Sequence, residues 1–150
     1  MIIYPDTSFL CALYIPQSTS PRAISYMGAL EAPLESTSLL FFEFRQSIQF
    51  QVFRYSKDRT QGYPLVIAQA ALAALQSDVK AGLYRHAAVD WADVHQIGER
   101  LALQHTVKGG HRSFDILHIA TALHLGVTAF LTFDSNQKKL AEAEGLVVPV

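Results

Sequence analysis

Short apolar runs alternate with helix-length segments from one end of this chain to the other, and that alternation limits the fold more than any single motif. Ile2-Ile3-Tyr4 is a brief β-type run closed by Pro5 and Asp6. Residues 8–14 suit a short helix stopped near Pro16. Ser20-Pro21 opens another, with serine as cap and proline at the first helical position, and it runs to about Leu30. Residues 36–38 fit a short strand. Over 39–53 the apolar positions 41, 44, 48 and 52 share one helical face. Tyr63-Pro64 opens a helix that Gly82 terminates. Residues 84–89 read as a strand, Asp90 caps a helix through about His105, and 108–111 form a loop. A helix then starts at Ser113 or Phe114 and ends near Gly126. Residues 127–133 make the strongest strand, followed by a helix over 136–144, a Gly145 cap and a last strand at 146–148. Strands alternating with helices predict the α/β class, with a parallel sheet covered on both faces. Ligands in such sheets sit beyond the carboxyl ends of the strands.

At 150 residues the chain is expected to form one domain, 1–150. Half of its residues are hydrophobic and only 17% charged, which excludes a disordered or solvating segment. The net charge of −1 provides no global attraction for nucleic acid, so any such binding must come from a local patch or from bound metal. The single cysteine, Cys11, excludes an intramolecular disulfide and a cysteine-based zinc cluster, and it reads as a small buried hydrophobe. The opening Met-Ile-Ile-Tyr-Pro-Asp has no basic leader. The most apolar stretch, 117–133, is interrupted by His118, His124 and Gly126 and is too short to span a bilayer. A soluble cytoplasmic protein is expected.

Four acids fall where a parallel sheet gathers its chemistry. Asp6 ends the first strand and Asp134 the strand at 127–133. Asp115 opens the helix feeding that strand, and Glu43 lies early in the helix after residues 36–38. Each is embedded in apolar sequence, as in Phe41-Phe42-Glu43-Phe44 and Phe114-Asp115-Ile116-Leu117. Gathered carboxylates repel, and at least one should have a raised pKa unless a cation relieves it. Oxygen-only ligands suit Mg²⁺ or Mn²⁺, and such ions clamp the oxygens of a phosphoryl displacement. The bland alternative is that each acid is a helix cap or a favourable charge at a helix N-terminus.

This ordered set resembles the PIN domain and, more narrowly, the VapC-type ribonuclease toxins. Asp6-Thr7-Ser8 looks like the first acidic motif of that family and Glu43 like the second. Phe114-Asp115 with the following His118-Ile119-Ala120-Thr121-Ala122 looks like the third, and Leu131-Thr132-Phe133-Asp134 like the fourth. The resemblance implies a PIN-like three-layer α/β/α fold with a central parallel sheet of four to five strands. It implies a Mg²⁺- or Mn²⁺-dependent endoribonuclease leaving a 5′-phosphate and a 3′-hydroxyl, the toxin of a VapBC-type pair. Asp6, Glu43, Asp115 and Asp134 would hold the metal. Ser8 would orient Asp6 or a water, and Thr132 would do the same beside Asp134. Asn136 is a weaker candidate for the site. A homodimer and a cognate antitoxin that covers the active site are implied as partners beside the RNA substrate.

Charge distribution adds modest support. Setting the four acids aside leaves nine of the 13 against 12 bases, a surface balance of +3. Arg45, Arg54, Lys57 and Arg59 cluster on and after the helix bearing Glu43, and Lys108, His111 and Arg112 precede Asp115. Among these, Arg45, Arg54, Lys57 and Arg112 are candidate RNA contacts. Phe53, Tyr55 and Tyr63 offer stacking surfaces, with core or dimer packing as the plainer role. His118 shares a helical face with Asp115, either as a ligand for a softer metal or as a residue packed beside the site. The second apolar stripe of the 39–53 helix, formed by Phe42, Phe50 and Phe53, fits a dimer or partner surface.

Other classes fit less well. A haloacid-dehalogenase-like phosphatase needs an acid where Ser8 stands. No P-loop sequence is present, and the paired acids of a receiver domain are missing. The remaining alternative is a catalytically inactive PIN-like module that binds RNA or protein.

Overall fold

The computed structural model describes residues 1–150. Four three-residue strands, β1 (Ile3–Pro5), β2 (Leu34–Ser36), β3 (Tyr84–His86) and β4 (Ala129–Leu131), form two parallel pairs. β1 pairs with β4, setting Tyr4 opposite Phe130, and β2 pairs with β3, setting Glu35 opposite Arg85. β1 lies beside β2, and Val147 bridges to Ala129 in parallel on the far side of β4. The spatial order is therefore β3, β2, β1, β4, with Val147 outermost. Across β2 and β3 the exposed Arg85 clamps the buried Glu35.

The helices are α1 (Thr7–Tyr14), α2 (Ser20–Gly28), α3 (Ser38–Lys57), α4 (Leu65–Lys80), α5 (Trp91–Leu101), α6 (Val107–Gly109), α7 (Ser113–His124) and α8 (Ser135–Ala143). α1 packs on α2, α3 and α4, while α7 packs on α5 and α8. These two groups and the sheet enclose one contiguous core of 29 buried apolar residues. Tyr4, Phe9, Phe44 and Phe130 are its largest members. Phe9 stacks on Phe133 at 5.8 Å between ring centroids, which fixes α1 against the chain leaving β4.

The elements fall in the expected order, with boundaries set by local hydrogen bonding. The strand expected at 36–38 lies at Leu34–Ser36, because Thr37 is the cap of α3 and its hydroxyl accepts from Leu40 N–H at 3.2 Å. The strand expected over 127–133 keeps only Ala129–Leu131. At its start Gly126 takes a φ of +66°, and Val127 N–H turns back to the Ala122 carbonyl at 2.9 Å. At its end Phe133 N–H is diverted to Ser8 Oγ. The strand at 84–89 stops at His86, and the one at 146–148 reduces to the Val147 bridge. The helix read through His105 loosens after Leu101 into a π turn, Ala102–Thr106, before α6.

α3 outruns the expected 39–53 and ends at Lys57, and the polar segment after it folds back on the helix. Gly62 sits at φ +64°, and a Cβ there would stand 2.0 Å from the Gln51 carbonyl oxygen, so only glycine fits. Arg54 donates to Gln61 at 2.6 Å, and Asp58 accepts from Thr60 N–H and its hydroxyl.

The end of α8 is tied to α5 and the π turn through Glu144, which accepts from Arg100 at 2.9 Å and His105 at 2.7 Å. Partial burial raises its pKa, but the two hydrogen bonds and the charges behind them outweigh this and hold it below the ordinary value. The contribution is therefore complete above the pKa of an unfolded glutamate, about 4.3. It is lost as pH falls through the lower folded value. Glu144→Gln is expected to lower Tm by about 1–3 °C at pH 7, and the gap from wild type should close in melts below about pH 4. A gap that stays constant down to acid pH contradicts this account.

Candidate active site

Asp6 leaves β1 and caps α1, so its position is set by two elements at once. Its backbone N–H bonds the Leu131 carbonyl at 2.9 Å, continuing the β1–β4 ladder by one residue. One carboxylate oxygen accepts from Phe9 N–H at 3.0 Å and from the Ser8 hydroxyl at 2.6 Å. The other accepts from the Thr132 hydroxyl. The residue is only 4% exposed. Burial pushes its carboxyl up from the ordinary value, against the lowering effect of Ser8, Thr132, His118 and Phe9 N–H. Every direct partner is a neutral donor.

Ser8 and Thr132 join the two strand ends. Ser8 Oγ accepts from Phe133 N–H at 2.9 Å while donating to Asp6. Thr132, expected beside Asp134, gives its hydrogen to Asp6 and accepts from Asp134 N–H at 3.0 Å. Asp134 caps α8, accepting from Asn136 N–H at 2.8 Å and Gln137 N–H at 2.9 Å, and its side chain is exposed. The Asn136 amide points elsewhere, donating to the Gly109 carbonyl at 3.0 Å and so pinning the loop before α7.

Glu43, in the second turn of α3, is held from two sides. Thr7 Oγ1 donates to its Oε2 at 2.5 Å, and the same oxygen faces Nε2 of His118. His118 is 2% exposed, and its Nδ1 lies 3.1 Å from the Tyr4 hydroxyl, which in turn lies 3.1 Å from Thr37 Oγ1. A carboxylate only accepts, so Nε2 carries a hydrogen. In the neutral tautomer Nδ1 then accepts from Tyr4, and Tyr4 accepts from Thr37. This chain ties β1, the start of α3 and α7 to one carboxylate. Burial raises the pKa of Glu43, but His118, Thr7 and the Arg112 charge outweigh it and hold the group below the ordinary value.

Asp115 lies in the first turn of α7, where a helix N-terminus favours negative charge. It accepts from Arg112 N–H at 3.3 Å, and the Arg112 guanidinium stands 3.5 Å away. Glu43, Arg112 and Asp115 line one cleft of about 360 Å³, with Ser113 and Phe114. Asp6 and Asp134 are not among its walls.

The acids thus fall into two pairs: Asp6 is linked through the Thr132 hydroxyl to the backbone N–H of Asp134, whose carboxylate caps α8, and Glu43 shares the cleft with Asp115. No three acids and histidines close round a single point. In donor chemistry the set suits a hard divalent cation, since it offers only carboxylate oxygens and includes a buried carboxylate that no lysine or arginine balances. Among the basic residues, Arg112 lies on the cleft. The Arg45 guanidinium lies over the Phe41 ring at 5.6 Å. Arg54 and Lys57 stand roughly 16 Å or more along α3 from Glu43, at 1.5 Å per residue. Thr7, Tyr4 and Thr37 received no role from the sequence. Only the spacing of His118 from Asp115 hinted at the site, and its partner Glu43 lies 75 residues away in the chain.

The PIN domain family model matches residues 3–143. Among solved structures, the crystal structure of VapC20 from Mycobacterium tuberculosis, described as a sarcin–ricin loop cleaving toxin, aligns with a TM-score of 0.67. The two chains are 18% identical over 97% of this chain and 96% of that one, a likeness of fold. No curated protein sequence matches the chain.

Replacing Thr132 by valine keeps its shape and deletes the donor to Asp6 and the acceptor for Asp134 N–H. Thr132→Val should cost about 2–3 kcal/mol in urea unfolding, the scale of a lost charge-assisted hydrogen bond, and Thr132→Ser should recover most of it. A larger loss in Thr132→Ser than in Thr132→Val would place the contribution of Thr132 in its methyl group instead.

Proposed function

The chain belongs to the PIN domain family, and from that premise we propose that it is a metal-dependent endoribonuclease, the toxin of a VapBC-type toxin–antitoxin pair. The observation carrying this reading is Asp6, a carboxylate buried among neutral donors at the end of a parallel strand. Removal of such a charge from water is costly unless a cation compensates it. Asp6, Glu43, Asp115 and Asp134 are the proposed holders of Mg²⁺ or Mn²⁺. A divalent cation supplies Lewis-acid stabilisation of phosphoryl charge and acidifies water near neutral pH.

The chain's own residues supply orientation. Ser8 and Thr132 fix the two oxygens of Asp6, and Thr7 and His118 hold Glu43. Arg112, whose side chain is 84% exposed beside Asp115, is assigned to the RNA phosphates, as is Arg45. Arg54 and Lys57 are assigned to RNA farther from the reacting bond. Hydrolysis would leave a 5′-phosphate and a 3′-hydroxyl. The exposed Phe50 and Phe53 of α3 support a homodimer. A cognate antitoxin and a cytoplasmic setting complete the proposal. No helix is long and apolar enough to cross a membrane.

The test is incubation of the purified protein, free of antitoxin, with a labelled single-stranded RNA in Mn²⁺ or in EDTA, beside Asp6→Asn. The expected outcome is cleavage only with metal, products bearing a 5′-phosphate, and a rate reduced about 100-fold or more in the variant. Cleavage that persists in EDTA or in Asp6→Asn overturns the assignment. Binding of RNA without cleavage by the wild type would favour a non-catalytic module.

A further inference from the structure

A second cleft, of about 440 Å³, opens beside the first along the outer face of α3. Of its seven lining residues only Phe41 and Phe42 are apolar. The rest include Arg45, Gln46, Gln49 and His86, and none is an acid. Phe41 is already committed, with its ring under Arg45 and its edge against Tyr84 at 5.6 Å. Phe42 is 57% exposed. Its only aromatic neighbour is Phe114, 36% exposed, in an edge-to-face contact at 6.4 Å and 77°. Phe114 is also a wall of the cleft holding Glu43 and Asp115. The two rings therefore form the partition between the clefts, and each precedes a proposed metal-holding acid in sequence.

We infer that the cleft walled by Phe42 receives an unpaired nucleobase of the RNA, stacked on that ring, while the neighbouring phosphate enters the Glu43–Asp115 cleft. This rests on the ribonuclease reading above. The occupant is argued from chemistry. A partner helix or a second copy of this chain needs a largely apolar floor, which the exposed Phe50 and Phe53 farther along α3 offer and five of the seven residues lining this cleft do not. A cleft with arginine and histidine, free of carboxylate, complements an anion. The Gln46 and Gln49 amides are exposed and each offers a donor and an acceptor, as an exposed base edge requires. Stacking on an aromatic ring tolerates every base and favours single strands. A duplex keeps its bases stacked inside the helix and out of reach of Phe42.

The test uses the full chain with a fluorescent single-stranded RNA, measuring Kd by anisotropy in EDTA and KM for cleavage in Mn²⁺. Variants are Phe42→Ala, Phe42→Trp and, as a control on α2, Ile24→Ala; thermal melts confirm that each is folded. Phe42→Ala is expected to weaken single-strand binding and raise KM by about 5- to 150-fold, the range for one lost base stack. Phe42→Trp should hold or tighten binding, Ile24→Ala should leave it unchanged, and duplex RNA should bind wild type and Phe42→Ala alike. A change below twofold in a wild-type protein that cleaves RNA overturns the stacking site and leaves the ribonuclease reading intact. Dissociation of a dimer by Phe42→Ala with RNA binding unchanged overturns it in favour of a second copy on this face. A wild type that neither binds nor cleaves RNA overturns both.

Discussion

A carboxylate removed from water without a cation is one of the costlier things a small domain can contain, and Asp6 imposes that constraint on its surroundings. Its oxygens are reached by a backbone N–H of α1 and by hydroxyls from Ser8 and Thr132. Those hydroxyls are in turn fixed by the chain leaving β4, through Phe133 N–H and Asp134 N–H. One side chain therefore sets the join of β1 to α1, the stop of β4 and the approach to α8. The stacking of Phe9 on Phe133 closes the same corner from the apolar side.

A second polar network mirrors the first. Thr37, Tyr4 and His118 link β1, the start of α3 and α7, and end on Glu43. Tyr4 is wholly buried, and desolvation raises its pKa, so its hydroxyl stays protonated and available to donate. Because Thr37, Tyr4 and His118 are buried and partnered, the network specifies orientation more than it adds net stability. Rigid aiming of this kind is what a site built for small-ion and phosphate chemistry needs.

Much of this was legible in the sequence, for identifiable reasons. Asp6 and Asp134 announce themselves as acids directly after apolar runs, and both prove to be helix caps, Asp6 directly after β1 and Asp134 three residues past β4. The strands at 84–89 and 127–133 are shorter than their sequence suggests, and past β4 apolar character continues beyond the point where Phe133 N–H turns to Ser8 Oγ. The contacts of His118 with Glu43 and of Thr7 with Glu43 join residues 75 and 36 positions apart. No local periodicity encodes such pairs, since they follow from how α7 and α1 approach α3. The partition of Phe42 and Phe114 was hidden for the same reason. Each ring reads alone as one more apolar residue beside an acid.

The pairwise arrangement of the acids matters for the account as a whole. Asp6 and Asp134 share Thr132, while Glu43 and Asp115 share a cleft. In the proposed function, a hard cation drawn to oxygen ligands would be the ingredient that makes these pairs one site. The most direct measurement is isothermal titration of Mn²⁺ into the metal-stripped protein, repeated with Asp6→Asn and Glu43→Gln. Saturable binding of one or two ions by wild type, lost or weakened at least tenfold in both variants, is the predicted result. A folded wild type that binds no Mn²⁺ at millimolar concentration, or variants that bind as well as wild type, would contradict it.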